Sequence, residues 1–328
     1  MAKSIINERR RIGMKRNNKA GGRSSKSGLW NTMRQYKYHY LMVLPVIVWY
    51  ILFSYLPMYG ITLSFKTFDF SKGILGSPWV GFQHFREISH DPEFWSAFKN
   101  TVIISLSKLV IHFPLPIILA MVMNEFSRTK ARKFFQTLFT FPHFISWVVL
   151  AGILTNIFSN DGVYIQLMTM LGFDASSPLV SVQGFRPMIY LSHVWKEIGW
   201  DSIIYMAALT GINPELYEAA EMDGASRLQR LRYIAWPGIK STVAILFILT
   251  IGNLLSLGSS FEQIFNLYSS PVYSVADTID TYVYRTTFTV GADFGYMTAV
   301  GLIKSAISLV LLVLANMTVK KMGEQGLY

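Results

Sequence analysis

The chain has 328 residues, 52% hydrophobic and 15% charged, with a positive mean hydropathy, which excludes an ordinary soluble domain and points to a polytopic membrane protein. With no cysteine there is neither a disulfide framework nor a thiolate metal site. The net charge of +11 has to be located along the chain before it says anything about a partner.

Residues 1–38 hold eleven Lys or Arg against the single acid Glu8, among interspersed Gly, Ser and Asn that cannot build a packed core. This basic arm reads as a topogenic segment beside anionic headgroups, with a nucleic-acid tail as the alternative. It is not a cleavable signal, because the apolar segment that follows is too long and lacks a small-residue cleavage pattern. Six segments then approach or exceed the roughly 20 residues that cross a hydrocarbon core of about 30 Å. They are 40–63, 101–123, 134–158, 187–209, 242–257 and 296–319. Each must be helical, since lipid offers the backbone no hydrogen-bond partner. Pro45, Pro57, Pro114, Pro116 and Pro142 fall in or beside these spans and predict kinks.

With the amino terminus inside, twenty-one Lys and Arg fall on inside segments and six on outside loops, so both termini are expected in the cytoplasm. A tail over 322–328 follows the last span. The outside loops are long. Residues 76–100 and 161–173 are each expected to form a short interfacial helix, the second with Tyr164, Leu167, Met168 and Leu171 on one face. Residues 259–295 make a third outside excursion, and loops of this size suit a docking surface.

Between the fourth and fifth spans lies a polar stretch, 213–240, with complete helix punctuation. Asn213 can cap, Pro214 fits the first helical position, and Glu215, Glu218 and Glu221 crowd the early turns. Gly224 ends this helix in a left-handed conformation. Ser226 and Gln229 form a capping box, so a second helix starts at once and runs until Pro237. The expected product is a compact helical elbow on the cytoplasmic side.

Catalytic motifs are absent from the sequence. It has no G-x-x-x-x-G-K-[ST] phosphate loop, no H-E-x-x-H and no G-x-S-x-G elbow. The histidines read as hydrogen-bonded packing residues. What remains is a set of polar groups within the spans: Lys108 and His112 one turn apart, Lys196 and Glu197, Asn253 and Lys304. An intramembrane cation costs about 2.5–3.5 kcal/mol, so such groups face a bundle interior or a wet cavity. Two readings stay open for Lys196 and Glu197. They either pair with neighbours or snorkel, or they line a hydrophilic path in which Trp147, Trp195 and Trp200 offer flat faces to sugar rings.

The run Glu218-Ala219-Ala220, Asp223-Gly224-Ala225, Tyr233-Ile234 and Pro237 resembles the EAA loop of bacterial ABC importer permeases. Further stretches are Ser54-Tyr55-Leu56-Pro57-Met58-Tyr59-Gly60, Ser77-Pro78-Trp79-Val80-Gly81-Phe82, Phe113-Pro114-Leu115-Pro116 and Trp195-Lys196-Glu197-Ile198-Gly199-Trp200. They are similar to the polysaccharide and oligosaccharide import permeases of the maltose-permease superfamily, the subset that includes alginate-oligosaccharide importers. The resemblance implies an all-α permease of the type I importer fold with six transmembrane helices over 39–321, in the bacterial inner membrane. It implies a second, homologous permease, two cytoplasmic ATPase subunits and an extracytoplasmic solute-binding protein as partners, besides oligosaccharide substrate and membrane lipid. ATP and Mg would belong to the ATPases, no cofactor to this chain, and nucleic acid is no partner. ATPase coupling would fall to Glu218, Ala219, Ala220, Asp223, Gly224, Ala225 and Pro237, with Glu218 facing basic residues of the ATPase. Leu231 departs from the many relatives with an aromatic residue there. The substrate path would include Trp147, Trp195, Lys196, Glu197, Trp200, Asn253 and Lys304. Lys108, Lys196 and Lys304 against Glu197 fit uronic-acid oligosaccharides, while neutral glycans fit the family equally. A secondary transporter and a membrane sensor or scaffold are the rival readings.

Overall fold

A computed structural model describes residues 34–126, 129–174, 176–257, 261–291, 293–324 and 326–327. Among them no strand exceeds an isolated bridge between Lys66 and Trp79. Most of the basic arm, part of the tail and Arg128 of the charge count lie outside the described residues. The chain forms two compact units, residues 1–60 and 61–328. In the first, helix α1 (Lys37–Tyr50) carries Pro45 within it and runs on into a π turn, Ile51–Tyr55. Pro57 then opens a 3-10 helix, Leu56–Phe65, as expected where a backbone N–H is missing.

In the second unit, α2 (Gln83–His90) is the short helix expected in the first outside loop. Helix α3 (Pro92–His112) starts earlier than the expected span because Asp91 caps it, accepting from the Glu93 N–H at 2.8 Å, with Pro92 in the first turn. The other carboxylate oxygen of Asp91 accepts from the Tyr282 and Tyr296 hydroxyls at 2.6 and 2.7 Å. Burial would raise this carboxyl, but the hydroxyls hold it below its usual range. A break at Phe113 and Pro114 leads into α4 (Pro114–Asn124).

The expected span over 134–158 is corrected by the structure. It is divided: α5 (Thr129–Thr140) ends at a 3-10 turn, Phe141–Phe144, containing Pro142, and α6 (Trp147–Phe158) is capped afresh by Ser146. Proline removes the N–H that would have continued the ladder, and the serine supplies a new start. The apolar length is restored on the far side, because Trp147–Met170 includes α7 (Val163–Met170), the second expected interfacial helix.

Helix α8 (Val182–Thr210) has 29 residues and buries one stripe: Phe185, Met188, Ile189, Ser192, Lys196, Gly199, Ser202, Tyr205, Met206 and Leu209. Steps of three and four are the spacing of one helical face. Among the described residues, five segments are long and apolar enough to cross a membrane: Lys37–Phe65, Pro92–Asn124, Trp147–Met170, Arg227–Gly252 and Phe294–Lys321. Helix α8 matches them in length but carries Lys196, Glu197 and Asp201 near its middle.

The elbow's first helix is α9 (Pro214–Met222) and its second begins as α10 (Arg227–Arg230). That second helix does not stop at Pro237. A π turn, Leu231–Ala235, joins it to α11 (Trp236–Gly252), and the widened turn absorbs the missing proline N–H. The last span is α12 (Phe294–Lys321), capped by Asp293.

Four apolar clusters hold the second unit. Near the elbow, Ile117, Ala120, Met123, Tyr205, Met206, Leu209, Ala235 and Ile239 join α4, α8 and the start of α11. Leu231 packs against this cluster, so the departure noted above still fills its place. At one close crossing, a Cβ on Gly199 would strike the Phe139 carbonyl. Gly199→Ala is therefore expected to cost about 1–3 kcal/mol through overpacking. The detergent-solubilised chain should unfold several degrees lower, whereas Gly301→Ala, with nothing within 4 Å, should not lower the midpoint.

Candidate functional site

The elbow is built by local rules. The Asn213 side chain accepts from the Glu215 N–H at 3.1 Å. At the other end of α9, Gly224 has φ +76°, while Ala225 N–H donates to Ala220 O at 2.9 Å and Gly224 N–H to Glu221 O at 3.1 Å. These two bonds close a Schellman motif, which needs a residue free to enter the left-handed region. The capping box follows at once, with Ser226 N–H donating to Gln229 Oε1 at 2.7 Å. Consequently the two helices are fixed to each other without a flexible joint.

Glu218, Ala219, Asp223, Gly224 and Pro237 are exposed, with Ala220 and Ala225 half-buried. The elbow also exposes apolar side chains that the sequence reading did not single out: Leu216 at 53%, Met222 at 89% and Leu228 at 75%. Their signal was present, since they are large apolar residues set among the charges of this stretch. Three ionic and polar contacts brace the elbow, two against the end of α4 and one between its own helices. Arg230 bonds Glu125 at 2.9 Å and Glu221 at 3.5 Å, and Asn124 donates to the Tyr217 hydroxyl at 3.4 Å.

A cavity of about 650 Å³ opens among α3, α4, α6, α8 and α11. Helix α8 lines it with His193, Glu197 and Asp201, which fall at steps of four on one face. Helix α3 contributes Lys108 and His112, and α6 contributes Trp147. The His112 Nε2 lies 2.7 Å from Asp201 Oδ2, and its ring meets that of His193 at 4.8 Å between centroids. Lys108 donates to Gln263 Oε1 at 2.7 Å, and the Gln263 amide donates to Ile189 O and Ser192 Oγ at 2.7 and 2.9 Å. A residue of the third loop thus reaches into the bundle and holds the cavity wall.

Of the expected path residues, Trp147 and Glu197 line this cavity and the other five do not. Lys196 is 4% exposed behind the wall. Its Nζ donates to His143 O at 2.6 Å, lies 3.1 Å from Glu197 Oε1, and sits 5.5 Å over the Trp147 ring. Glu197 also takes His143 Nδ1 at 2.5 Å, and Trp200 stacks on the His143 ring at 4.2 Å. Trp195 is exposed on the outer side of α8. Asn253 ends α11 and donates to Leu249 O at 3.1 Å. Lys304 pairs with Asp280 at 2.5 Å. The cavity therefore combines aromatic faces with fixed donors and acceptors, an inventory suited to a polyhydroxylated ligand.

A bundle of membrane-length helices around a cavity with polar and aromatic side chains in its wall, and a braced helical elbow projecting from it, defines a transport permease. Residues 112–324 match the family described as binding-protein-dependent transport system inner membrane component, and the chain belongs to that family. It is 43% identical over 295 residues to the polygalacturonan/rhamnogalacturonan transport system permease protein YteP of Bacillus subtilis (strain 168), covering 90% of this chain and 91% of that one. To the protein LplB of the same organism it is 39% identical over 297 residues, covering 90% and 92%. Among solved structures it is similar to a bacterial ABC transporter involved in the import of the acidic polysaccharide alginate. The TM-score is 0.82 at 38% identity, over 89% of this chain and 98% of that one. A second structure, the alginate transporter in complex with an alginate pentasaccharide-bound periplasmic protein, gives 0.82 at 37% identity, over 91% and 99%.

The ion pair behind the cavity can be tested directly. Glu197→Ala leaves Lys196 buried without its carboxylate, a change expected to cost about 3–5 kcal/mol. Adding Lys196→Met should recover most of the loss in thermal unfolding, since the uncompensated charge is then gone.

Proposed function

We propose that this chain forms half of the translocation path of an ATP-driven importer for acidic oligosaccharides, and that its elbow seats on a separate ATPase. The observation that carries the coupling role is the elbow itself. Glu218, Ala219, Asp223, Gly224 and Pro237 of its signature stand at the surface, and Gly224 and the two caps make it rigid. A stiff element transmits displacement, whereas a flexible loop would absorb it. Exposed Leu216, Met222 and Leu228 add an apolar patch that suits a protein partner better than water.

The substrate class is supported by the relatives rather than by the charge of the spans. Two permease systems similar to this chain are named for pectic polymers and for alginate, both rich in uronate. Lys196 and Lys304, by contrast, are offset by Glu197 and Asp280. A heterodimeric partner permease, paired ATPases and a solute-binding protein complete the reading, and the pentasaccharide-bound complex of the alginate transporter supports the last of these. Helix α8 then serves as the sixth span, its polar residues turned to the cavity and to the pairs behind it. On this reading residues 39–321 form the permease domain of the inner membrane, with the 1–38 arm, the 213–240 elbow and the 322–328 tail on the cytoplasmic side, where the excess of Lys and Arg falls.

Reconstitution with the cognate ATPases and binding protein tests both parts. Oligogalacturonate or alginate fragments should stimulate ATP hydrolysis and enter the vesicles, and neutral maltodextrins should not; stimulation by the neutral sugars alone defeats the acidic reading. Gly224→Asp places a side chain at φ +76° and a negative charge beside helix carbonyls. Uptake is expected to fall by about tenfold with the chain still inserted in the membrane, and normal uptake in that variant would remove the elbow from coupling.

A further inference from the structure

Connectivity ties the elbow to α8 and α11, which precede and follow it. Nothing covalent ties it to α4, whose end lies 105 residues before Arg230. Side chains close that gap. The Arg230 Nη2 donates to Glu125 Oε2 at 2.9 Å while its Nη1 lies 3.5 Å from Glu221 Oε2. The Arg230 and Glu125 side chains are only 16% and 11% exposed, so water competes weakly for either. Glu221 belongs to the first elbow helix, Arg230 to the second and Glu125 to the end of α4, so one guanidinium holds three elements together. A planar fork serves two carboxylates at once, which a lysine ammonium on a flexible stem does less well.

The place of this knot gives it a mechanical meaning. Beneath it, Ala120 and Met123 of α4 share an apolar cluster with Ala235 and Ile239 at the far end of the elbow. Helix α4 carries Pro116 into the cavity wall, and α3, directly before it, carries Lys108 and His112. We propose that Arg230 is the positioning residue that makes the elbow and the α3–α4 side of the cavity move as one body. Without it, among the described residues only the Asn124–Tyr217 contact and the apolar cluster link the elbow to α4, and the wall holding Lys108 and His112 lags. The proposal rests on the elbow being the seat of the ATPase.

The test uses the full complex with its ATPases and binding protein in proteoliposomes, reading uptake and ATP hydrolysis in the same vesicles with an oligogalacturonate substrate. Arg230→Ala is expected to lower uptake per ATP hydrolysed by about tenfold. Glu125→Gln should do the same from outside the elbow, and it carries the test alone should the arginine variant not assemble. Because both act on one contact, the double variant should be no worse than either single. Uptake per ATP equal to wild type in Arg230→Ala or Glu125→Gln, or losses that simply add, overturns the tether. A wild-type chain that never copurifies with the ATPases overturns the elbow reading and the tether with it, while ATPases bound to variants of undiminished efficiency overturn the tether alone.

Discussion

A charge placed inside an apolar bundle must find its counter-charge within the protein, and that constraint orients α8 and everything packed on it. Lys196 has almost no exposure, so its ammonium is satisfied by the His143 carbonyl and the Glu197 carboxylate. Taking either partner away would leave a cost of several kcal/mol, so α8 is not free to rotate about its axis. Once its face is set, His193, Glu197 and Asp201 follow at steps of four and fall on the cavity. Trp147 is brought to the same wall, under the Lys196 ammonium. The polar groups of the cavity wall are thus a consequence of charge pairing that the helix could not avoid, with Glu197 and Asp201 facing inward.

How far the chain's own text reaches depends on whether the deciding contact is local. The elbow could be read residue by residue, because Asn213, Gly224, Ser226 and Gln229 act on backbone groups within four positions of themselves. Pro237 could not. Whether a proline stops a helix or is carried through depends on what waits beyond it, and here the π turn over Leu231–Ala235 and the packing of Ile239 continue the rod. The segment 134–158 misled in the opposite direction. Its hydropathy is continuous, yet Pro142 and the fresh cap at Ser146 divide it, and beside the division Gly199 fits closely against Phe139.

The site shows the same boundary. Trp147 and Glu197 were reachable from residue type and span position, and the 193, 197, 201 spacing was visible on the page of the sequence. The partners were not. His112 meets Asp201 across 89 positions and Lys108 meets Gln263 across 155, and no periodicity along one helix encodes such a meeting. Glu125 and Arg230 belong to the same class. Read singly, the arginine is one more positive charge on an inside loop; read with its partners, it is a brace between elements.

This difference bears on how substrate charge is inferred from a membrane sequence. Lys108, Lys196 and Lys304 look like a cationic track when counted along the spans, but a charge acts on a ligand only to the extent that the protein has not already neutralised it. Lys196 is answered by Glu197 and Lys304 by Asp280, whereas Lys108 lies on the cavity wall and donates to the neutral Gln263 amide. Besides Lys108, Asp201 and Glu262, the cavity presents ring faces and fixed hydrogen-bond groups, which recognise hydroxyls and the C–H faces of sugar rings. On the proposed reading, therefore, Lys196 and Lys304 add no cationic track, and what the spans contribute to discrimination between acidic and neutral sugars falls to Lys108, beside the binding protein that presents the cargo.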